Sequence, residues 1–208
     1  MDEIYDSYCV GGVDLSSTTD LTSATILVPK PEGKFLCHQQ YWMPWMTFEE
    51  AEHSRQTVYQ AWVDRGLLTL IPGNRIDYSE ITRWFITMKE ESKLYYQAIG
   101  YDSWNSVYWL KDMESSGFGG VMEIVQQGAK TLSNPLKNLG ADLATKKINY
   151  NKNPLVEYCL CNLGCAYDRN NNITPVKVKS RGFIDGAMSL LDAYCVYERH
   201  KELIDSLI

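Results

Sequence analysis

The sequence predicts an α/β protein built on a mixed β-sheet, and the order of its apolar segments carries this prediction. Three strand-like segments, residues 8–15, 22–29 and 34–42, follow one another across short polar connections. Connections this short indicate an antiparallel meander. After residue 47, helical and strand-like segments alternate, which is typical of parallel strands joined by helical crossovers. We therefore expect one sheet with an antiparallel side and a parallel side, flanked by helices.

Capping and turn signals place the later elements. Thr47 and Glu50 have the spacing of a capping box, which predicts a helix to about residue 64, and Asp77 with Glu80 repeats the signal. A missing N–H costs little in the first turn of a helix, so Pro154 predicts a helix start. Strands are expected at residues 67–71, 95–102, 121–126 and 175–180, and helices at 77–94, 105–116, 134–146, 154–167 and 182–208. Since no linker or repeat interrupts this order, we expect a single domain over residues 1–208.

Composition excludes several classes of protein. The chain has 208 residues, of which 45% are hydrophobic and 22% are charged, as in ordinary folded proteins. No apolar run approaches the roughly 20 residues that span a bilayer, and the acidic N-terminus has no secretory signal. The six cysteines are therefore expected to be thiols. Cys159, Cys161 and Cys165 have no fourth ligand nearby for zinc, so packing in a helical core is the favoured interpretation.

Charge is distributed unevenly along the chain. Residues 130–182 contain nine basic and three acidic side chains, a net charge of +6, whereas the whole chain carries −6. Such a stretch can bind phosphate groups, although a solvated surface would have the same composition. Lys177, Lys179 and Arg181 alternate in an extended segment, which sends them to one face. We expect them to form a cationic strip that leads toward Asp185.

Four aspartates are candidate metal ligands because of their positions. Asp14 and Asp102 close two predicted strands, Asp185 opens the last helix, and Asp20 follows the first turn. If the two strands are adjacent and parallel, Asp14 and Asp102 lie side by side, about 5 Å apart between backbones. Carboxylates this close repel unless a cation lies between them, and hard oxygen ligands suit Mg²⁺ or Mn²⁺. Taken singly, each aspartate could instead cap a turn or a helix.

Five blocks of sequence, in order along residues 8–198, resemble the nuclease domain of the large terminase subunit of tailed bacteriophages. The blocks are VGGVDLSSTTDLTSATIL, IGYDSWN, VMEIVQQGAKTLSNPLKNLGADL, NPLVEYCLCNLGCAYDRNNNITPVKVKS and SRGFIDGAMSLLDAY. The resemblance implies a ribonuclease H-like fold and a metal-dependent endonuclease that cuts double-stranded DNA concatemers during packaging of the viral genome. Asp14, Asp102 and Asp185 match the catalytic acids of the family, and Asp20 matches a further acid found in part of it.

The resemblance also implies a mechanism and partners. With DNA as the implied substrate, we expect Lys177, Lys179 and Arg181 to bind its backbone without reading bases. Two divalent ions, Mg²⁺ or Mn²⁺ and about 4 Å apart, would flank the scissile phosphate and leave a 5′-phosphate and a 3′-hydroxyl. Asp14 is the expected bridging ligand, since a central strand is the most rigid support. A portal protein, a small terminase subunit and an ATPase domain of the same polypeptide are the implied partners, in the cytoplasm of a bacterial host. Residues 1–208 contain no GxxxxGK[ST] loop, so we expect the ATPase domain to be absent from them.

Three other interpretations of the sequence remain open at this point. An actin-like or sugar-kinase-like ATP-binding domain also has an aspartate and a Ser/Thr turn after its first strand, and tight ATP binding would favour it. A Holliday-junction resolvase-like nuclease would prefer branched DNA. A docking module could retain the nuclease fold without cutting, and only an activity measurement separates it from a nuclease.

Overall fold

The structure is a computed structural model that describes residues 2–16, 21–104, 106–178 and 182–208. Its strands are β1 (Tyr8–Asp14), β2 (Thr22–Lys30), β3 (Lys34–Pro44), β4 (Leu68–Ile71), β5 (Tyr95–Tyr101), β6 (Met122–Ile124), β7 (Ile148–Asn149), β8 (Leu163–Tyr167) and β9 (Ile173–Lys177). Its helices are α1 (Trp45–Glu49), α2 (His53–Asp64), α3 (Ser79–Glu91), α4 (Val107–Ser115), α5 (Ala129–Ala144), α6 (Pro154–Asn162), α7 (Asp185–Arg199) and α8 (Lys201–Asp205). None of the helices described in these ranges is both long and apolar enough to cross a membrane.

Seven strands form one mixed sheet with an antiparallel and a parallel side, as the sequence predicts. Strand β7 was not predicted, and the strand expected over 175–180 corresponds to β9, which lies in a separate two-stranded sheet. The order of the mixed sheet is β4-β3-β2-β1-β5-β6. Strand β7 pairs with the start of β3, whereas β4 pairs with the end of β3. Strands β1, β2 and β3 form the antiparallel meander. Strand β5 lies parallel to β1 and β6 lies parallel to β5, while β4 and β7 lie parallel to β3. The mixed sheet flanked by helices is therefore confirmed, and β1 is its central strand.

The two faces of the sheet are covered differently. Helix α7 crosses one face over β2, β1 and β5, with α5 and α6 beside it, while α3 and α4 cover the other. Two adjacent glycines in β1 mark the two faces. A Cβ added to Gly12 would lie 2.0 Å from the Ser189 carbonyl oxygen of α7, whereas one added to Gly11 would meet Ile99 and Phe85 side-chain atoms at 3.0 and 3.1 Å. The backbone of α7 thus lies directly against β1, while the other face is filled by side chains.

Three sequence-based helix assignments are wrong. The last helix, expected over 182–208, begins at Asp185 and is divided at His200 into α7 and α8. The helix expected from Thr47 to residue 64 is two helices, because α1 begins earlier, after Pro44, and ends at Glu49 before α2 starts at His53. The helix expected over 154–167 ends at Asn162.

The segment after Asn162 is strand β8, which pairs with β9 as an antiparallel hairpin. Its turn is held by Asp168, whose side chain accepts from the backbone N–H groups of Asn170 and Asn172 at 2.7 and 2.9 Å. Pairing with β9 satisfies the backbone groups that a longer helix would have used. The sequence predicted this polar turn and the extended segment after it, but placed the segment before the turn in the helix.

Candidate functional site

Asp14 and Asp102 lie at the ends of neighbouring parallel strands. Val13 of β1 is in register with Tyr101 of β5, so the next residue on each strand is one of the two aspartates. Neighbouring strands are about 4.8 Å apart. Both side chains are half-buried at this end of the sheet. The side-by-side arrangement that the sequence analysis made conditional on adjacent parallel strands is therefore present in the backbone.

Both aspartates follow glycines that face α7. Added Cβ atoms would lie 2.0 Å from the Ser189 carbonyl oxygen at Gly12 and 2.5 Å from the Asp192 carbonyl oxygen at Gly100. Because alternate residues of a strand share a face, the positions of Asp14 and Asp102, two residues further on, lie on the α7 side. Asp102 also supports the turn after β5, where its Oδ1 accepts from the Trp104 backbone N–H at 3.2 Å.

Asp185 is the first residue of α7 and is only 5% exposed. Besides burial, the charges of Asp185 and Asp14 both raise the pKa of the Cys159 thiol in α6. The pKa of Cys159 is raised to about 12, first by burial, then by the charge of Asp185, and to a smaller extent by that of Asp14. Both carboxylates therefore act on the same buried thiol. The first turn of α7 brings Asp185 to the part of the sheet where Asp14 ends β1.

The remaining predicted site residues are less well placed. Asp20, Lys179 and Arg181 lie outside the described residues, so their predicted roles stay predictions. Lys177 is the last residue of β9 and is exposed. Within residues 2–16, 21–104, 106–178 and 182–208, no three His, Cys, Asp or Glu side chains form a group that could hold a metal ion. Asp14, Asp102 and Asp185 therefore do not form such a group in this structure, although the first two end neighbouring strands and the third begins the helix that covers those strands.

Sequence reasoning gave no site role to Asp192. Asp192 lies two helical turns beyond Asp185, about 10 Å along the helix axis, which is too far for both carboxylates to bind one metal ion directly. The structure buries it to 1% exposure and places the amide of Gln127 3.2 Å from its Oδ1. Burial raises the pKa of Asp192 well above its usual range, Gln127 opposes this, and the charge of Asp102 raises it further. A seven-residue spacing from Asp185 in an otherwise apolar helix was the signal available in the sequence.

The chemistry of the donors at this end of the sheet fits a divalent metal ion. The candidate ligands are carboxylate oxygens, which Mg²⁺ and Mn²⁺ prefer. The neighbouring Cys159 carries a soft sulfur ligand, which Mg²⁺ and Mn²⁺ disfavour, and burial raises the pKa of its thiol to about 12. Cys161 and Cys165 are exposed while Cys159 is buried, so only Cys159 has the core position expected for all three.

Comparison of the sequence with protein families gives one match that spans nearly the whole chain. The profile of the family "Terminase large subunit, endonuclease domain" matches residues 1–201. The terminase large subunit of Enterobacteria phage HK97 is 26% identical over 179 residues, which are 86% of this chain and 35% of the phage protein. Protein YmfN of Escherichia coli K12 is 26% identical over an alignment of 212 positions, covering 96% of this chain and 46% of that protein. The chain thus spans between a third and a half of the length of these relatives.

Solved structures give the same fold. The crystal structure of the HK97 large terminase superposes with a TM-score of 0.81 at 24% identity, covering 91% of this chain and 39% of that one. The large terminase nuclease of thermophilic phage G20c with bound magnesium gives a TM-score of 0.57 at 14% identity, over 91% and 81% of the chains. The nuclease domain of the bacteriophage SPP1 large terminase with bound Mn gives 0.52 at 10%, over 95% and 90%.

These matches confirm the resemblance and the ribonuclease H-like mixed sheet that it implies. Because the family profile covers residues 1–201, the assignment does not depend on the low identities of the individual relatives. The chain belongs to the family of terminase large subunit endonuclease domains.

Proposed function

We propose that this chain is a divalent-metal-dependent endonuclease that cuts double-stranded DNA concatemers during packaging of a viral genome. The observation that carries the proposal is the register of β1 and β5, which sets Asp14 beside Asp102 on the sheet face where Asp185 begins α7. Membership of the terminase endonuclease family supports the reaction class. Structures of related nucleases with bound magnesium or Mn support the choice of metal.

Each aspartate has a distinct role in the proposed mechanism. Asp14, on the central strand, would be a ligand shared by two divalent ions, and Asp102 and Asp185 would each be a further ligand of one of them. The chemistry supplied by a bound divalent cation is Lewis-acid stabilisation of developing negative charge and activation of water. The chain contributes fixed positions for these carboxylates, since two end rigid strands and the third is buried at a helix start. The proposed products are a 5′-phosphate and a 3′-hydroxyl.

The proposed DNA-binding surface is the basic segment that leads to α7. Lys177, Lys179 and Arg181 would contact phosphates, and Asp20 would be an additional metal ligand. Contacts of this kind release counterions, so DNA affinity should fall steeply as the salt concentration rises. Replacing one phosphate-binding lysine should reduce the steepness of the plot of log association constant against log salt concentration by about 1. Lys177→Gln tests this in a filter-binding titration. A slope equal to that of the wild type would remove Lys177 from the interface.

The wider assembly is also part of the proposal. An ATPase domain of the same polypeptide, a portal protein and a small terminase subunit would deliver DNA to this chain in the cytoplasm of the host cell. Relatives roughly two to three times as long as the aligned region support the presence of a further domain in the full-length protein.

The decisive experiment replaces Asp14 by asparagine and measures nicking of supercoiled plasmid with Mn²⁺. Replacing a metal ligand should lower the cleavage rate more than replacing a residue that only hydrogen-bonds to a ligand. We therefore expect a rate reduction of at least about 100-fold. The matched control is Asp77→Asn, because Asp77 is exposed and its Oδ1 accepts from the Ser79 backbone N–H before α3. Circular dichroism and DNA binding should be unchanged in both variants. Cleavage by the Asp14→Asn protein at the wild-type rate would exclude Asp14 from the mechanism.

A second candidate function is a DNA-docking module that does not cut. It is favoured by the lack of a metal-holding group of three side chains among the described residues. The plasmid assay separates the two functions. A wild-type chain that binds DNA but leaves it intact with both Mg²⁺ and Mn²⁺ would support the docking module.

A further inference from the structure

A set of buried polar side chains lies between the sheet and the first turn of α7, next to the candidate site. Its members carry hydroxyl or amide groups and are at most 3% exposed. We call this set the polar layer: Ser23, Thr25, Gln39, Tyr41 and Ser189. Burying such groups costs free energy unless they are hydrogen-bonded, and an apolar core would avoid that cost. The mechanism proposed above uses none of them, so their presence here needs its own explanation.

The strand members of the polar layer continue the row of residues that begins with Asp14. Asp14 is in register with Ser23, and Ser23 is in register with Tyr41. Thr25 and Gln39 form the next pair across β2 and β3. The layer therefore begins one strand away from a proposed metal ligand.

Gln39 connects the sheet to the helix through both ends of its amide. Its Nε2 donates to Thr25 Oγ1 at 2.6 Å and to the Gly186 carbonyl oxygen at 2.7 Å. Its Oε1 accepts from the Tyr41 hydroxyl. Because the tyrosine donates to the oxygen, the amide orientation is fixed and both N–H groups have acceptors.

Ser189 fastens the same turn of α7 at a second point. Its Oγ lies 2.8 Å from Thr25 Oγ1 and 2.9 Å from Ser23 Oγ. Helix and sheet are closely packed here, since a Cβ added to Gly186 would lie 2.2 Å from the Tyr41 hydroxyl oxygen. Gly186 directly follows Asp185. The polar layer thus holds the first turn of α7 against β2 and β3 at two places within four residues of Asp185.

We propose that the polar layer positions Asp185 relative to Asp14, so that the two carboxylates hold a divalent cation together. Directional hydrogen bonds specify one seating of the helix, whereas apolar contacts would tolerate sliding. The inference rests on the proposed function, because a site without metal would not need this accuracy. Thr25 and Ser189 are positioning residues that act through the first turn of α7.

The test replaces Thr25 by valine, which keeps the branched shape and removes the hydroxyl. Replacing a residue that supports a metal ligand typically lowers metal affinity or activity 10- to 100-fold. For Thr25→Val we expect the Kd for Mn²⁺ to rise about tenfold and kcat to fall by a similar factor. The KM for DNA should not change. Mn²⁺ affinity is measured from the electron paramagnetic resonance signal of the free ion, and kcat from plasmid nicking. Thr25→Ser, which keeps the hydroxyl, should restore both values.

The control is Thr82→Val, a similarly buried threonine on α3 on the opposite face of the sheet. It should leave Mn²⁺ affinity and kcat unchanged. Should Thr25→Val fail to fold, Ser189→Ala removes the helix-side hydroxyl with a smaller change in volume and the same expected result. Wild-type Mn²⁺ affinity and kcat in the folded Thr25→Val protein would overturn the positioning role alone. A wild-type chain that neither binds Mn²⁺ nor cleaves would overturn the proposed function and the positioning role with it.

Discussion

The two faces of the central sheet are built by different means, although they share the same strands. On the α7 face near the site, helix backbone lies against Gly12 and Gly100, and hydrogen-bonded hydroxyl and amide groups fill the remaining space. On the opposite face, Phe85, Tyr96 and Phe118 pack around one another with ring centroids 5.6 to 6.2 Å apart. Both faces bury apolar side chains, but on the α7 face close backbone contact and hydrogen bonds also fix the position of the helix.

This difference separates the sources of stability and of accuracy in the molecule. Aromatic side chains bury much surface and can readjust when a neighbour changes. Backbone in van der Waals contact with backbone cannot readjust without moving the whole helix. Substitutions on the aromatic face should therefore change stability more than activity, and those on the α7 face should change both.

The largest effect is expected from the adjacent glycines of β1. In Gly12→Ala the new Cβ would meet the Ser189 carbonyl oxygen at 2.0 Å, so α7 must move. We expect a loss of about 3 kcal/mol or more in the free energy of unfolding, together with loss of cleavage. In Gly11→Ala the new Cβ meets side chains that can shift, which should cost about 1 kcal/mol. Urea denaturation of both variants measures the difference, and equal losses would contradict the distinction between the faces.

An intermediate effect is expected from Phe85→Leu on the aromatic face. Phe85 is fully buried, and its replacement by a smaller apolar residue should cost about 1 to 2 kcal/mol. Thermal unfolding should show a lower Tm, while kcat for plasmid nicking at 25 °C should equal that of the wild type. A large fall in kcat without a fall in Tm would show that this face also controls the geometry of the site.

The smallest effect is expected from Asp192→Asn, measured without metal in EDTA. Burial raises the pKa of Asp192 in the folded state, so the folded protein binds more protons than the unfolded one above the ordinary carboxyl pKa. Stability should therefore decrease as pH rises from about 4 toward the raised value. The asparagine cannot ionise, so the variant should show a weaker decrease and higher stability at pH 7. Identical pH profiles of wild type and variant would contradict this account.

Part of the fold and of the site was predictable because it depends on local signals. Short polar connections predicted the meander, and Pro154 predicted the start of α6, whose first residue it is. The hairpin of β8 and β9 was missed because its first strand has no local signal and depends on pairing with residues 6 to 14 positions further along the chain. The position of Asp192 was missed for a similar reason, because its backbone lies against Gly100 of β5, far from it in the sequence.

The sequence by itself determined the alternation of strands and helices, the positions of the aspartates at element ends, and the family to which the chain belongs. The tertiary structure decided which strands are neighbours, which face of the sheet α7 covers, and which polar groups are buried under it. These properties depend on contacts between residues far apart in the chain, such as Val13 with Tyr101 and Thr25 with Ser189. Local propensities and spacings carry no information about such contacts, because only the packed chain brings those residues together.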